Sequence, residues 1–195
     1  MTGPMQDTTP DTRLARLIAR QAEKRALAEI WAREAVFAPG MTVLDIGAGT
    51  GALALIYARI VGAAGRVIAL DPDAACLAHA RTEAGRQGLR LVTIAGGAES
   101  LALLETAPDR VMLTDTLHHM DDPEAALRAI HAALTEKALL FIAEYDPCAP
   151  GAVGAPRTRR LPRERVRAML ETAGFAVIRA ADAPDEHYIF LARPG

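Results

Sequence analysis

Apolar residues occur along the chain in two patterns, short continuous runs and helical spacing, which predict strands and helices in turn. Short apolar runs bounded by glycine, proline or aspartate are typical of buried strands, and residues 42–46 (Thr-Val-Leu-Asp-Ile) form the first such run. Further strands are predicted at 66–70, 91–95, 110–114, 138–143, 175–180 and 188–192. Helices are predicted at 52–61 and 73–87, from Asp122 onwards and from Pro162 to Gly174, with a short helical segment near 101–104.

The order of these elements predicts the architecture. Five strand–helix units imply a mostly parallel sheet, covered by helices on both faces and joined by right-handed crossovers. Only residues 181–187 separate the last two strands, a link too short for a parallel crossover but suited to a hairpin. We therefore expect an α/β, Rossmann-like three-layer sandwich with one antiparallel strand. Ligands of such sheets bind at the carboxyl ends of the strands.

The N-terminal region, residues 11–38, is predicted to be helical. Residues 1–10 are expected to be a flexible tail, and a helix is predicted to start at Thr9-Pro10, a capping residue followed by proline. Residues 11–195 are expected to form a single domain. An apolar stripe at helical spacing is interpreted either as a core contact or as part of a lid over the cleft; it comprises Leu14, Leu17, Ile18, Leu27, Ile30 and Trp31.

Composition and charge narrow the class of protein. Of the 195 residues, 51% are hydrophobic and 24% charged, with a net charge of −2, typical of a globular protein with no overall attraction to nucleic acid. No apolar run approaches the ~18 residues that span a bilayer, and the N-terminus lacks the features of a secretory signal. Cys76 and Cys148 offer no disulfide framework and no metal-ligand spacing. We therefore expect a cytoplasmic protein without a metal site.

The stretch Val-Leu-Asp-Ile-Gly-Ala-Gly-Thr-Gly at 43–51 places three glycines directly behind the first strand. The simplest interpretation is that the glycines only permit a tight turn. Alternatively, such a turn holds a dinucleotide pyrophosphate or the amino acid part of S-adenosylmethionine. Asp71, 20 positions after Gly51, ends the second strand and can accept hydrogen bonds from both ribose hydroxyls. It favours an adenosine ligand without choosing between the two cofactors.

Asp45 distinguishes these cofactors in part. It stands two residues before the first glycine, Gly47, close to where a pyrophosphate would lie. A carboxylate there opposes a phosphate and favours a ligand with an ammonium and a sulfonium group. The terminal hairpin also disfavours a dehydrogenase-type parallel sheet.

Four segments together resemble the class I S-adenosylmethionine-dependent methyltransferases, particularly the small-molecule enzymes that include the ubiquinone/menaquinone methyltransferases. They are the glycine stretch, Val-Ile-Ala-Leu-Asp-Pro at 67–72, Gly-Gly-Ala-Glu at 96–99 and Asp-Thr-Leu-His-His-Met-Asp-Asp-Pro at 115–123. The resemblance covers about half of the chain and implies a seven-stranded sheet of order 3-2-1-4-5-7-6 with strand 7 antiparallel. One departure is Thr135-Glu136-Lys137, where the family usually has Pro-Gly-Gly before strand five.

The resemblance also implies which residues bind the cofactor. Asp45 and the glycine-turn backbone hold the methionine part, Asp71 binds the ribose and Pro72 lies against the adenine face. Ala98 and Glu99 lie at the adenine edge, and Thr114 walls the methionine end. The whole set is Asp45, Gly47, Ala48, Gly49, Gly51, Asp71, Pro72, Ala98, Glu99 and Thr114.

No catalytic residue is assigned from the sequence. Methyl transfer from a sulfonium depends mostly on alignment, and a general base is needed only if the nucleophile loses a proton as it attacks. His118 and His119 are candidates for that role, although packing is the favoured interpretation of both. Tyr145 and Asp146 either line the acceptor pocket or are ordinary loop residues, and Cys148 is interpreted as a free thiol.

Six arginines lie within Arg157–Arg167. They are interpreted either as a solvated helix start or as the binding site of an anionic acceptor, because guanidinium groups bind carboxylate and phosphate well. Nucleic acid is not expected as a partner, since no base-flipping motif follows the fourth strand.

The sequence therefore predicts an S-adenosylmethionine-dependent methyltransferase acting on a small molecule. The alternatives are an NAD(P)-dependent oxidoreductase of Rossmann type and a catalytically silent S-adenosylmethionine-binding protein. The acceptor, the methylated atom and the choice between monomer and homodimer stay open.

Overall fold

The computed structural model describes residues 10–195, apart from the side chains of residues 10, 11 and 99. The strands are β1 (Thr42–Ile46), β2 (Arg66–Asp71), β3 (Leu91–Ala95), β4 (Arg110–Thr114), β5 (Leu139–Tyr145), β6 (Phe175–Ala183) and β7 (His187–Pro194). The α-helices are α1 (Pro10–Ala22), α2 (Arg25–Glu34), α3 (Ala54–Val61), α4 (Ala74–Arg86), α5 (Pro123–Ala133) and α6 (Arg163–Thr172). Short 3-10 helices span Ala98–Leu103, Leu117–His119 and Arg157–Arg159.

The strands form one sheet in the order β3-β2-β1-β4-β5-β7-β6. The first five pair in parallel, whereas β7 is antiparallel to both β5 and β6. The predicted strand order and terminal hairpin are therefore confirmed. This topology brings the carboxyl ends of β1, β2 and β4 to one edge of the sheet.

Several element boundaries differ from the prediction, and each difference has a local cause. β5 extends to Tyr145 instead of ending at 143, because it stays paired with β7 as far as His187. α4 begins one residue later than predicted, because the Asp73 side chain caps it by accepting from the backbone N–H groups of Ala75 and Cys76. The turn before β5 forms without glycine, through a hydrogen bond from Ala138 N to Thr135 O of 3.0 Å.

The predicted N-terminal helical region consists of two helices. Residues 1–9 of the predicted tail, including the predicted cap Thr9, lie outside the described residues, and Pro10 is the first residue of α1 instead of part of the tail. Trp31 on α2 is fully buried, with its ring centroid 6.4 Å from that of Phe141 and 5.3 Å from that of His187. Trp31 is therefore a core residue.

Two apolar cores lie on opposite faces of the sheet, because successive strand residues point to opposite sides. Val43 packs with Trp31 and Tyr57 on the α2 and α3 face, whereas Leu44 packs with Leu127 and Phe190 on the α5 and α6 face. Burial of each large side chain contributes about 1.5–3 kcal/mol. These cores fix the strand ends on which the site is built. Within residues 10–195, no helix is long and apolar enough to cross a membrane.

Candidate active site

A cavity of about 890 Å³ opens at the carboxyl edge of the sheet, between the strand ends and α1. Its volume lies within the range of about 300–1,000 Å³ that is usual for small-molecule sites. It brings together most of the residues that the sequence singled out as cofactor-binding: Asp45, Gly47, Ala48, Gly49, Asp71, Pro72, Ala98 and Thr114.

Two predicted site residues stand apart from this set. Gly51 is buried against α4, where a Cβ atom would come within 2.7 Å of the Ala80 Cβ. Its role in the structure is to let the turn pack on α4. The side chain of Glu99 lies outside the described part of the chain, although its backbone belongs to the 3-10 helix at Ala98–Leu103.

Side chains from other segments lie close to Gly47 and Gly49, the other two glycines of the turn. All three have positive φ angles, and a Cβ atom on Gly47 would lie 2.3 Å from Thr116 Oγ1. A Cβ atom on Gly49 would lie 2.2 Å from Gln21 Nε2. Only glycine satisfies both the backbone conformation and the close approach of these neighbours.

Asp71 ties the end of β2 to the glycine turn. Its Oδ2 accepts from Gly49 N and its Oδ1 accepts from Asp73 N, each at 2.8 Å. Each carboxylate oxygen has a second lone pair, so two further donors can be accepted. The cavity position of Asp71 thus fits the recognition of a ribose diol.

Asp45 is a buried carboxyl group in the cavity lining. It is 2% exposed, and its Oδ2 has no hydrogen-bond partner among the described residues. Burial, with a smaller contribution from the charge of Asp71, raises the pKa of Asp45 to about 8. A buried carboxyl group of this kind is stabilised by a cation placed beside it.

α1 forms the roof of the cavity with five side chains on one face of the helix and just beyond it: Arg13, Leu17, Arg20, Gln21 and Lys24. Gln21 Oε1 accepts from Thr50 N at 2.9 Å and from Thr50 Oγ1 at 2.5 Å. Arg13 Nη1 lies 2.6 Å from Asp73 Oδ2. The roof is therefore attached directly to the turn and to the end of β2.

Asp115, the residue after β4, anchors the other end of the roof. It forms an ion pair with Lys24 and its Oδ1 accepts from His187 Nε2 at 2.8 Å. Burial acts to raise the pKa of Asp115, but the hydrogen bond from His187 and the charge of Lys24 outweigh it and hold the pKa below its usual range. Its φ of 54° is unusual for a residue other than glycine and marks this bend as constrained.

The two neighbouring histidines have different environments. His118 is buried, with its Nδ1 2.6 Å from Glu144 Oε2, whereas the exposed His119 lines the cavity. Partial burial lowers the pKa of His119, and the neighbouring His118 ring and the charge of Arg159 lower it further. The sequence treated these histidines alike, but they occupy different positions.

Tyr145 lies beside the cavity instead of in its lining. Its ring stacks on His187 with centroids 4.1 Å apart, between Lys24 Nζ at 5.3 Å and the Arg160 guanidinium at 5.1 Å. Burial raises the pKa of Tyr145 above its usual value. Asp146 accepts from Cys148 N at 2.7 Å, and the exposed Cys148 lies away from the cavity.

The arginine segment Arg157–Arg167 does not form one patch. Arg160 is buried and donates to the carbonyl oxygens of Ala155, Asp146 and Val153, and it pairs with Glu186 at 2.6 Å. Its guanidinium is therefore a structural group, and the interpretation of Arg160 as an acceptor ligand is wrong. Arg159 is exposed, and its charge contributes to lowering the pKa of His119.

Residues 43–137 match a family model described as a methyltransferase domain. This chain carries a methyltransferase domain. The matched range contains the glycine turn, Asp71, His118 and His119.

Known proteins resemble the methyltransferase domain in sequence. The ubiquinone/menaquinone biosynthesis C-methyltransferase UbiE of Klebsiella pneumoniae is 32% identical over 114 residues, covering 55% of this chain and 43% of that protein. The UbiE protein of a Shewanella species is 29% identical over 110 residues, with 55% and 44% covered. The chain thus spans less than half the length of these relatives.

Solved structures resemble the domain in fold. A SAM-dependent methyltransferase from Aquifex aeolicus superimposes with a TM-score of 0.83 at 22% identity, over 92% of this chain and 97% of that one. The [4+2]-cyclase SpnF superimposes with a TM-score of 0.76 at 22% identity, over 87% and 80% of the two chains. Since one of these proteins is a cyclase, the fold alone does not determine the reaction.

Several polar residues of the methyltransferase domain's site were not predicted from the sequence. Gln21 on α1 and Lys24 just beyond it contact the site from a region that the sequence interpreted through its apolar stripe alone. Glu144 did carry a signal, because it is a carboxylate near the end of an otherwise apolar strand, Leu-Leu-Phe-Ile-Ala-Glu-Tyr.

Proposed function

We propose that the protein transfers a methyl group from S-adenosylmethionine to a small-molecule acceptor. The observation that carries this proposal is Asp45, whose buried Oδ2 has no partner among the described residues and which lines the cavity at the glycine turn. S-adenosylmethionine brings an ammonium and a sulfonium to this carboxyl group, whereas a dinucleotide would bring phosphates. Opposite charges favour each other strongly at such a buried position.

The cavity residues have complementary roles in this proposal. Asp45 and the backbone of residues 47–49 hold the methionine part, and Thr114 walls that end of the cavity. Asp71 accepts from the ribose hydroxyls. Pro72 lies against the adenine, with Ala98 and Glu99 at its edge. Gly51 supports the turn through its packing on α4.

Bound S-adenosylmethionine supplies a methyl group that is already activated by its attachment to a sulfonium. The chain's own contribution is therefore alignment of the acceptor and exclusion of water, for which no covalent intermediate is needed. α1 is placed for this task, because Gln21 and Lys24 fasten it over the strand ends.

We further propose that the acceptor is anionic. Arg20 lines the cavity and the charge of Arg159 lowers the pKa of His119 on the cavity wall, and neither arginine forms an ion pair with another described residue. Positive charge at the cavity lining and next to its wall favours a carboxylate or phosphate group. A cytoplasmic location and a single domain over residues 11–195 complete the proposal, with no role for nucleic acid.

A methyl-transfer screen tests this function. The protein is incubated with methyl-labelled S-adenosylmethionine and paired probes, hydroxybenzoates against phenol, which is uncharged at pH 7. We expect transfer of label to an anionic probe in preference to its uncharged counterpart. Binding of the cofactor without transfer to any probe would favour the catalytically silent alternative.

Matched variants test the charge of the acceptor. Arg159→Ala should raise the KM of an anionic probe roughly two- to fivefold, because the attraction of one exposed charge is lost. Arg165→Ala removes an exposed arginine on α6 and should leave KM unchanged. Equal behaviour of the two variants would contradict the anionic acceptor.

A further inference from the structure

We propose that His119 takes up the proton that the acceptor loses during methyl transfer, and that the buried Glu144–His118 pair positions it. The inference rests on the proposed function and adds a role for a pair of residues that cofactor binding does not use. It also restricts the acceptor to a molecule whose nucleophilic atom carries a proton.

The place of His119 in the fold supports this role. The 3-10 helix Leu117–His119 follows β4, and its first residue, Leu117, is fully buried in the core. His119, at the other end of this single turn, lines the cavity together with Asp115 and Thr116. Its ring is thus exposed to the space that the strand ends and the glycine turn also border.

The Glu144–His118 pair fixes this turn through both ring and backbone. Glu144 Oε2 lies 2.6 Å from His118 Nδ1, and Oε1 accepts from His118 N at 3.3 Å. Both side chains are buried, at 0% and 1% exposure. The ring of His119 rests on the ring of His118, with centroids 4.1 Å apart. The position of the exposed ring therefore depends on the buried pair.

The charges around His119 keep its ring able to accept a proton. Burial lowers its pKa, and so do the neighbouring His118 ring on the same turn, Arg159, Arg20 on α1 and Lys24 just beyond α1. A neutral imidazole at pH 7 is the form that acts as a base.

Three aspartates also line the cavity near this wall, and none replaces His119 as the proton acceptor. Asp115 is engaged by His187 and Lys24, and Asp122 caps α5 by accepting from Ala125 N at 2.8 Å. Asp121 is exposed to solvent.

The proposed step balances in atoms and charge. As the acceptor atom forms its bond to the methyl carbon, the bond between that carbon and sulfur breaks and its electron pair remains on sulfur. The proton of the acceptor atom passes to a ring nitrogen of His119, which becomes an imidazolium. Water then removes this proton.

NMR titration of the imidazole groups tests the proposal without an acceptor. In the protein saturated with S-adenosylhomocysteine, His119 should titrate below the value of about 6.5 that is usual for histidine. Glu144→Gln should shift that midpoint by about half a pH unit or more, while His79 on α4 should not move. A midpoint of His119 at or above 6.5 would overturn the proposal, as would a folded Glu144→Gln protein with an unchanged midpoint.

Kinetics with 3-hydroxybenzoate and 3-mercaptobenzoate provide the second arm. His119→Gln, a change at an exposed side chain, should lower kcat on the phenol about 100-fold, since a positioned base contributes at least that factor. It should lower kcat on the readily ionised thiol less than threefold, and His79→Gln should leave both rates unchanged. Equal losses on both probes would show a structural role only and overturn the proposal. If neither probe is methylated, the proposed acceptor class fails, and the NMR titration still decides the role of His119.

Discussion

The side-chain carbonyl of Gln21 accepts two hydrogen bonds from Thr50, one from the backbone N–H at 2.9 Å and one from the hydroxyl at 2.5 Å. Through this contact the roof helix α1 is held on the glycine turn that forms the floor of the cavity. Access to the cavity is therefore coupled to a bond between two segments 29 residues apart in sequence.

The first prediction concerns this contact. Gln21→Ala removes the acceptor for both Thr50 donors, each of which contributes about 0.5–1.5 kcal/mol. We expect S-adenosylmethionine to dissociate roughly five- to tenfold faster, measured by stopped-flow displacement with S-adenosylhomocysteine. Gln87→Ala, at an exposed residue after α4, is the control and should leave the rate unchanged. An unaltered rate in the Gln21 variant would show that α1 is not fastened through this contact.

The second prediction concerns protons released on binding. The pKa of Asp45 is raised to about 8 in the free protein, so at pH 7 its carboxyl group is mostly protonated. A bound cation favours the carboxylate form, so binding should release a proton and affinity should rise with pH up to about 8. Calorimetry at pH 7 in buffers of different ionisation enthalpy measures this proton. Asp45→Asn should release none, and proton uptake by the wild-type protein would contradict the account.

The third prediction concerns stability without cofactor. The pKa of Asp45 is higher in the folded state than its reference value of 3.8, so the folded protein holds more protons between about pH 4 and 8. This contribution to stability is therefore present below pH 4 and lost as pH rises through about 8. Asp45→Asn escapes the loss, so relative to wild type it should gain roughly 4 kcal/mol between pH 5 and pH 9. Urea unfolding at the two pH values measures the difference, and a constant difference would refute it.

The fourth prediction separates structural from functional arginines. Arg160→Ala removes a buried guanidinium and leaves three carbonyl oxygens without their donor, so we expect a loss of roughly 2 kcal/mol or more. Arg157→Ala removes an exposed side chain whose bond goes to Pro147 O, and it should cost less than about 1 kcal/mol. Thermal unfolding compares the two variants. A stable Arg160→Ala protein with weakened acceptor binding would reverse the assignment made here.

The sequence was most informative where local spacing determines structure. The alternating elements predicted the parallel sheet, and the short link at 181–187 predicted the hairpin, because loop length limits which strands can pair. Asp45 and Asp71 were identified because they stand at fixed distances from the glycines of one turn. The cavity brings both of them to its lining.

The polar contacts that support the cavity lining could not be predicted from residue spacing, because they join segments that are far apart in the sequence. Lys24 and Asp115 are 91 residues apart, and His118 and Glu144 are 26 apart, on segments whose mutual placement no periodicity specifies. The different environments of the adjacent residues Arg159 and Arg160 could not be predicted from the sequence either. The sequence treats them alike, but the backbone turns one guanidinium toward carbonyl oxygens and exposes the other.

The central claim is that a buried carboxyl group beside the glycine turn selects a cationic adenosine cofactor over a dinucleotide. The most direct measurement is titration calorimetry of S-adenosylmethionine and NAD against the wild-type protein and Asp45→Asn at pH 8. We predict that the wild-type protein binds S-adenosylmethionine and not NAD, and that the variant binds it about 10- to 100-fold more weakly, as expected for loss of a charge-assisted contact. Tighter binding of NAD, or an undiminished affinity of Asp45→Asn for S-adenosylmethionine, would contradict the claim.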